Sequence, residues 1–584
     1  MSNIKVLLTT EGTYPFHQGG VSTWCDILVK ELKSVDYVIY SILMDPFVTQ
    51  KFALPDNTGL IKVPLWGTEE PSEHLSESFS KSFLAKRRTT PKEIETRFIP
   101  LFSRLIEEII ASEKDPRLLA QTMLELHLYF DEYEYKVSFK SETAWETFKR
   151  IINTKVAESR GEWARPDLYC LIQSLGWIYR FMNILNTPFP KVDVTHASAA
   201  AFCGIPCVLS KLKYDTPFLL TEHGIYLREQ YLGLSKNNYS SFLNTFLIRL
   251  IHSITSLNYT FADQVSPVCE YNTRWEKKFD VDPRKIQVIY NGVDKNVFME
   301  AKPRAEGRPT VVTVARIDPL KDIVTLIKSA AVVKSRIPDV QFIIYGSVSV
   351  KAYYEECLEL RSELELADTV IFAGHTSNMA AAYESGDIVA LTSISEAFPY
   401  SVVEAMMCAR AVISTDVGGI REAVGETGIL VTPRDYDELA DGIVKLLLDR
   451  ELRNQLANDA RERALTFFTL DRVLEMHERS YRKLAEGVTE QKTVAPEPIS
   501  VSARRKQQRL FAERAFAFMS NGMYMDAVRH FKLAVMANPD SAAAPALLVE
   551  AAEAYNQLGM FDRAFLTMEK HRALVKHIES RIIA

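Results

Sequence analysis

Apolar residues along this chain fall into two kinds of run. Short β-branched runs at 4–9, 37–43 and 60–65 alternate with helical-period stretches such as 21–32. A brief continuous apolar run reads as a strand buried on both faces, and a 3.6-residue period reads as a helix. The chain therefore opens as strand, loop (Glu11 to Gly20) and helix. From about 71 to 189 the pattern changes to helix after helix (98–110, 116–129, 168–185), rich in charge and aromatics, which predicts a helical insertion. Strands resume at 192–195, 218–221, 264–268 and 286–290. The stretch 300–309 is polar with two prolines, a linker signature. A second series has strands at 310–315, 341–345, 369–373, 387–392, 411–415 and 428–431. Helices fill 435–487, a flexible linker is expected at 488–503, and the tail from 504 is helical. Two such series predict two doubly wound α/β domains, residues 1–300 and 301–487, facing across a cleft, followed by an all-α module at 504–584. Ligands are then expected at the carboxyl ends of the strands.

Bulk numbers narrow the class. Of 584 residues, 47% are hydrophobic and 25% charged, which excludes collagen, wholesale disorder and a membrane bundle. The net charge of -6 gives no whole-molecule attraction to nucleic acid or anionic lipid. No apolar run approaches the ~18 residues of a membrane span, and the start lacks the features of a signal peptide. Seven cysteines are sparse, and Cys203 and Cys207 sit among apolar neighbours, so they read as buried thiols rather than a zinc pair. A reduced, cytoplasmic chain is expected. Glycine is scarce, 23 residues or about 4% against a usual ~7%, so the pairs Gly19-Gly20 and Gly418-Gly419 call for a reason.

The segment Ser395-Glu396-Ala-Phe-Pro-Tyr-Ser-Val-Val-Glu404 follows a predicted strand. Pro399 suits the first turn of a helix running to about 409. Its leading N–H groups, at Tyr400, Ser401 and Val402, make an anion site. Glu404, one turn in, leans back toward the same place and can accept hydrogen bonds from a sugar diol. Glu396 approaches from the loop. The two glutamates could also be a solvated pair, but the apolar helix between them speaks against exposure. Arg316 and Lys321 follow the first strand of the second series, and there they would neutralise a diphosphate. Read alone, they could be two surface cations. Gly19-Gly20 opens a helix after the first strand without forming a nicotinamide or flavin fingerprint. His196 and His223 stand at predicted strand ends. Asp280-Val-Asp282 and Asp435-Tyr-Asp437 read as turn and helix caps, and His477-Glu478 lacks the second histidine of a zinc protease helix.

Taken in order, Gly19-Gly20-Val21, Asn291-Gly292-Val293-Asp294, Arg316 with Lys321, Glu396-x7-Glu404 and Thr415-Asp-Val-Gly-Gly-Ile-Arg-Glu422 resemble the retaining GT-B glycosyltransferases of family 4, over about 1–487. Within that family, Thr10 to Trp24, Leu126 to Tyr129 and Leu220 to Glu229 are most similar to the PelF group of Pel exopolysaccharide biosynthesis. The resemblance implies a GT-B fold and a UDP-sugar-dependent hexosyltransferase acting on a polysaccharide. Arg316 and Lys321 would hold the diphosphate, Glu404 the ribose and Glu396 the transferred sugar. His196 would lie beside the reacting sugar. Tyr400, Ser401, Gly19, Gly20 and Gly419 would line the donor site, with His17, Glu222 and His223 as further donor-sugar or acceptor contacts. It implies no cofactor or metal, no protein nucleophile, and a last helix, 470–487, crossing back onto the first domain. Ala397 and Ala315 depart from glycines common in the family. Two other readings stay open: a UDP-sugar epimerase of the same fold, and an inactive scaffold.

In the tail, Ala515, Phe518, Gly522, Tyr524, Ala527, Phe531, Ala534 and Pro539 follow the tetratricopeptide pattern, and Ala552, Tyr555, Gly559, Phe561 and Ala564 begin a second copy. Two repeats are few for a stable array, so 504–584 is expected to dock on the enzyme, to self-associate or to bind a protein partner, such as a membrane-bound exopolysaccharide complex. An ordinary helical hairpin is the alternative. Arg504, Arg505, Lys506 and Arg509 are too few to indicate a membrane surface.

Overall fold

A computed structural model describes residues 3–45, 47–65, 78–159, 161–301, 307–491, 501–538, 541 and 543–583. The chain divides into two units, residues 1–488 and 489–584.

Among its described residues the first unit holds two six-stranded sheets, each parallel throughout. The first comprises β1 (Ile4–Glu11), β2 (Val35–Leu43), β3 (Gly59–Pro64), β4 (Val194–Ala197), β5 (Phe218–Glu222) and β6 (Gln264–Pro267), in the order β3-β2-β1-β4-β5-β6. The second comprises β7 (Thr310–Val314), β8 (Gln341–Tyr345), β9 (Val370–Gly374), β10 (Ile388–Leu391), β11 (Ala411–Thr415) and β12 (Ile429–Val431), in the order β12-β11-β10-β7-β8-β9. Both follow the doubly wound order 3-2-1-4-5-6, so each has a switch point between its first and fourth strands. Val6, Leu7 and Leu8 are all fully buried. Strands covered on both faces read as apolar runs, which is why the sequence showed them so plainly.

Three expected elements differ. The stretch 286–290 forms a single bridge, Ile286 with Val265, and donates from Gln287 and Ile289 to β6 before turning away. The helix expected at 168–185 ends at Phe181 and tightens into a 3-10 turn, Met182–Asn186. Thr187, next in the chain, precedes Pro188, a position that disfavours helical backbone. Helix covers 488–491 and resumes at 501, where a linker was expected, and residues 492–500 lie outside the described residues.

Helices fill the described part of the stretch expected as an insertion, from Phe79–Arg88 to Leu168–Phe181; residues 71–77 lie outside the described residues. Thr90, Asp115, Ser141 and Asp167 each cap a helix of this stretch by accepting from free backbone N–H groups. Phe98, Phe102, Phe139 and Phe148 are buried inside it, with Phe98 stacked 5.4 Å from Phe102. Asp282 and Asp435 cap the turns that follow them, and Cys203 and Cys207 are buried free thiols. Among the described residues no helix is long and apolar enough to cross a membrane.

The helix Leu470–Gln491 packs on the first sheet's domain. Ser34 donates to Glu478 (2.8 Å), Gln264 to Ser480 (2.9 Å), and the Trp24 indole to His477 Nε2 (3.3 Å). Gly292 makes this crossing possible. A Cβ there would stand 2.7 Å from Val473 and 3.0 Å from the Thr469 carbonyl.

Among its described residues the second unit has four helices, Val501–Ser520, Tyr524–Ala537, Ala544–Gln557 and Phe561–Ile583. Ala515, Ala527, Phe531, Ala534, Ala551, Ala552, Tyr555 and Ala564 form its core. Small residues let the helices approach closely. Phe561, part of the second repeat pattern, is 69% exposed.

Candidate functional site

The loops leaving β7 and β10 meet at the switch point of the second sheet. The Thr392 hydroxyl donates to the Lys321 carbonyl (2.8 Å), and the Ile394 N–H to the Leu320 carbonyl (2.9 Å). Sequence-distant residues are thereby brought together. The Lys321 ammonium pairs with the Glu396 carboxylate, which also accepts from Ser393 (2.7 Å). Arg316, five residues before Lys321, is exposed and has no hydrogen bond or ion pair among the described residues.

The helix carrying the second glutamate spans Tyr400–Met407, with Pro399 as its N-cap residue rather than inside its first turn. No side chain caps it, so its leading N–H groups are open to an anion. Tyr400 and Ser401 are half-buried at that end. Glu404 is also half-buried, and its Oε2 accepts from the hydroxyl of the fully buried Tyr383 (2.6 Å). Burial raises the Glu404 carboxyl, and the Tyr383 bond pulls it back.

Gly418 and Gly419 lie beneath the Glu396 loop. Gly418 has φ +59, and a Cβ on it would sit 1.6 Å from the Glu396 carbonyl oxygen. The Gly419 N–H donates to the Ala397 carbonyl (2.8 Å). Gly419 is buried under that loop, so it shapes the loop from below and is not an exposed donor contact as expected.

The first domain closes the other side. Gly19 and Gly20 are exposed, and a Cβ on Gly20 would stand 3.6 Å from the Tyr400 ring. Arg228 donates to Ser395 (3.2 Å). Glu422 accepts from the N–H groups of Glu270 (2.7 Å) and Tyr271 (2.6 Å). His17 lies on the exposed part of the loop after β1.

Two expected contacts are corrected. His196 lies inside β4, fully buried, with Nδ1 bonded to the Tyr481 hydroxyl (2.7 Å) and Nε2 to the Thr221 hydroxyl (2.7 Å). With both nitrogens occupied and no exposed surface, it cannot touch a sugar in this arrangement. Glu222 is the last residue of β5 and also fully buried. It accepts from Tyr259 (2.5 Å) and is raised by burial and by the neighbouring Glu276 carboxyl. By contrast, His223 just beyond β5 is half-buried, and its Nε2 has no partner among the described residues. Its ring lies 4.5 Å from Trp24, and burial followed by the charge of His477 holds it down to about 3.

Several participants were not anticipated. Trp24 stands among His196 (5.3 Å), His223 and His477 (5.5 Å). Burial holds His477 down to about 3, so this cluster is neutral. Tyr383 gives no signal in the sequence. Arg228 and Glu422 stand inside stretches already singled out, but without a reason attached to either. Glu11, at the end of β1, accepts from Tyr226 (3.1 Å) and the Cys203 N–H (3.3 Å), and burial pushes it up to about 7.

Comparison with known proteins places these halves. Residues 4–284 match a domain of unknown function, DUF3492, and residues 294–463 match Glycosyl transferases group 1. An N-acetylgalactosaminyltransferase of Campylobacter jejuni, named for a diphospho-undecaprenol-linked substrate, is 30% identical over 40% of this chain and 62% of its own length. A D-inositol 3-phosphate glycosyltransferase of Corynebacterium glutamicum is 33% identical over 32% of this chain and 50% of its own. The chain thus spans only half to three-fifths of these relatives. Among solved structures, sucrose-phosphate synthase from Thermosynechococcus elongatus superposes with a TM-score of 0.52 at 17% identity, over 83% of this chain and 100% of that one. Anabaena HepE, solved with UDP, gives 0.50 at 16% identity, over 82% and 100%. These likenesses establish the GT-B fold. Residues 294–463 are thus similar to the glycosyl transferases group 1 family, and residues 4–284 to domains of the DUF3492 type.

Proposed function

We propose that the chain is a retaining glycosyltransferase that moves a sugar from a UDP-sugar to a growing polysaccharide, in Pel-type exopolysaccharide biosynthesis. The observation that carries the reading is the convergence at the second switch point. A Lys321–Glu396 pair, a half-buried Glu404 and an uncapped helix end gather there opposite Gly20. The names of the curated relatives support sugar transfer, and the UDP in the Anabaena neighbour guides the choice of nucleotide. The resemblance of the amino-terminal half to the PelF group supports the pathway.

In this reading the diphosphate lies over the first N–H groups of the 400–407 helix, between Arg316 and Lys321. Charge developing on the departing UDP meets fixed cations and dipoles, so no metal is called for. Glu404 accepts from the ribose hydroxyls. Glu396 orients the transferred sugar, and Lys321 bridges it to the phosphate. The acceptor attacks on the face the phosphate leaves, guided by that phosphate, and no protein nucleophile is used. His223 faces the reacting sugar from the first domain. The helix pairs of the second unit, with their small-residue core, support a tetratricopeptide-like partner module.

Calorimetry with UDP tests the site. The expected result is binding to the native chain and at least ten-fold weaker binding to Arg316→Ala and Glu404→Ala. No UDP binding, or equal binding by all three, overturns the assignment.

A further inference from the structure

Two carboxyl groups meet inside the first domain with no cation between them. Glu222 ends β5, and Glu276 lies on the short helix Thr273–Lys278 that follows β6. Both are fully buried. β5 and β6 are paired, and the Val268 N–H just past β6 donates to the Glu222 carbonyl (3.1 Å), so the chain returns over the end of β5. The Tyr259 hydroxyl donates to Glu222 Oε1 (2.5 Å). Glu222 Oε2 and both carboxyl oxygens of Glu276 meet no N–H or O–H donor among the described residues. The two carboxyls are nevertheless within hydrogen-bond reach of each other. A carboxylate can only accept, so one proton held between them turns two repelling acceptors into a donor and an acceptor.

The surroundings do not offer a substitute for that proton. Tyr259 faces the pair from the helix Ser241–Phe261, Glu229 from the helix Tyr226–Leu234, Cys269 and Glu270 from the turn before Thr273, and Lys277 from the helix of Glu276 itself. Of these only Lys277 is a cation, and it is exposed. Arg228 acts on Glu229 but is bonded to Ser395. Burial first, then the charge of Glu276, raises the Glu222 carboxyl, and burial pushes Glu276 up to about 7.

The segment that carries Glu276 also holds the second domain. The N–H groups of Glu270 and Tyr271 donate to Glu422, and a Cβ on Gly419 would stand 2.9 Å from the Cys269 Cβ. Gly419 in turn supports the Glu396 loop. We propose that Glu222 and Glu276 form a proton-controlled latch between the two domains. With one proton shared, the turn at 269–271 stays seated against Gly419 and Glu422. When that proton passes to water, two buried like charges drive Glu276 and its turn away from β5, and the contact opens. Groups held up in the closed state favour it at low pH and cease to do so as pH rises, so the latch is closed at pH 6 and opens on the alkaline side.

Cys269 is the reporter, because it is fully buried at this contact. The test is alkylation of the full chain by iodoacetamide from pH 6 to 9, without nucleotide, read at each cysteine by peptide mass spectrometry. Cys357, buried on the helix Lys351–Glu363 in the core of the second domain, is the internal reference. Burial pushes both thiols up to about 12, so their ratio cancels most of the pH dependence of the thiol itself. Glu276→Gln supplies an amide donor to Glu222 that never ionises. Glu222→Gln does the same in reverse and still accepts from Tyr259. Melts at pH 6 establish that all three proteins are folded. The Cys269-to-Cys357 ratio should be equal in the three proteins at pH 6. In the native chain alone it should then climb, by about ten-fold per pH unit once the pair ionises. A local charge effect has the opposite sign, since Glu276 helps to hold the Cys269 thiol up and its removal would speed labelling of the variant. A native ratio that stays flat, or one that climbs equally in both glutamine variants, overturns the proposal. Protection of Cys269 at pH 9 by sodium, potassium, magnesium or calcium ions, in the native chain only, also overturns it, because the pair would then hold a cation. With no nucleotide present, none of these outcomes depends on whether UDP binds.

Discussion

Replacing Tyr383 by phenylalanine removes one hydrogen bond and little else. The ring is fully buried, and its hydroxyl stands 2.6 Å from Glu404 Oε2. Phenylalanine keeps the ring volume, so no cavity opens and the contact with Phe298 (6.2 Å) remains. The groups facing Glu404 are Tyr383, Tyr400 and Cys408, and none of them is a cation. Burial favours the neutral acid there, and the Tyr383 bond is what favours the carboxylate. A hydrogen bond to a charged acceptor is worth about 1.5–3 kcal/mol, or about 10- to 150-fold. If the ribose hydroxyls bind the ionised form, losing this bond moves protonation of Glu404 to higher pH. UDP affinity of Tyr383→Phe should then match the native chain at alkaline pH. It should fall progressively below it as pH drops, reaching a deficit of about ten-fold or more. Calorimetry across pH 6 to 9 measures the ratio, and thermal melts confirm that both proteins are folded. A deficit that does not change with pH would show that Tyr383 acts through packing alone. No deficit at any pH would remove Glu404 from the nucleotide site.

Other outcomes follow from the same geometry. Gly418→Ala adds a Cβ where φ is +59 and the Glu396 carbonyl is 1.6 Å away. It should cost at least about 2 kcal/mol in denaturant unfolding and abolish UDP binding. His223 and His477 are held down to about 3 by burial. The stability they confer is present above about 6.5 and lost as pH falls, by about 1.4 kcal/mol per histidine per pH unit. His477→Gln should flatten the acid limb of a stability–pH curve by one such increment. Glu11 works in the opposite sense. Raised from 4.5 to about 7, it favours the folded state below 4.5, and that contribution is lost as pH climbs toward 7, about 3 kcal/mol in all. Glu11→Gln should remove this decline, as read from melts at pH 5 and pH 8.

The sheets could be read from the chain because Val6, Leu7, Leu8 and their counterparts are buried on both faces and so form unbroken apolar runs. The donor loops could be read because their charged residues follow strand ends closely. The errors have a physical origin in strand limits. Reading the fourth strand two residues early, at 192–195 instead of Val194–Ala197, put His196 just past its end when it lies inside it. Ending the fifth at Thr221 did the same for Glu222, which is its last residue. His223 was left as the residue actually beyond the sheet. Tyr383 could not be found, because its partner is 21 positions away and nothing local marks a tyrosine at the end of a short helix. His477 was set aside as an incomplete zinc motif. Its role depends on the 470–491 helix reaching Trp24, a tertiary contact that local pattern does not encode.

In the proposed reading, the site formed by Arg316, Lys321, Glu396 and Glu404 cleaves a UDP-sugar by transfer. A panel of UDP-sugars, each incubated with the chain and polysaccharide fragments, tests it most directly through released UDP and the anomeric configuration of the product. UDP release is expected with one donor, with an axial or equatorial product bond unchanged from that donor, and with loss of release in Glu396→Gln. A rearranged UDP-sugar without free UDP would instead mark an epimerase. UDP binding with no turnover of any donor would mark a scaffold, and either result would rule out sugar transfer at this site.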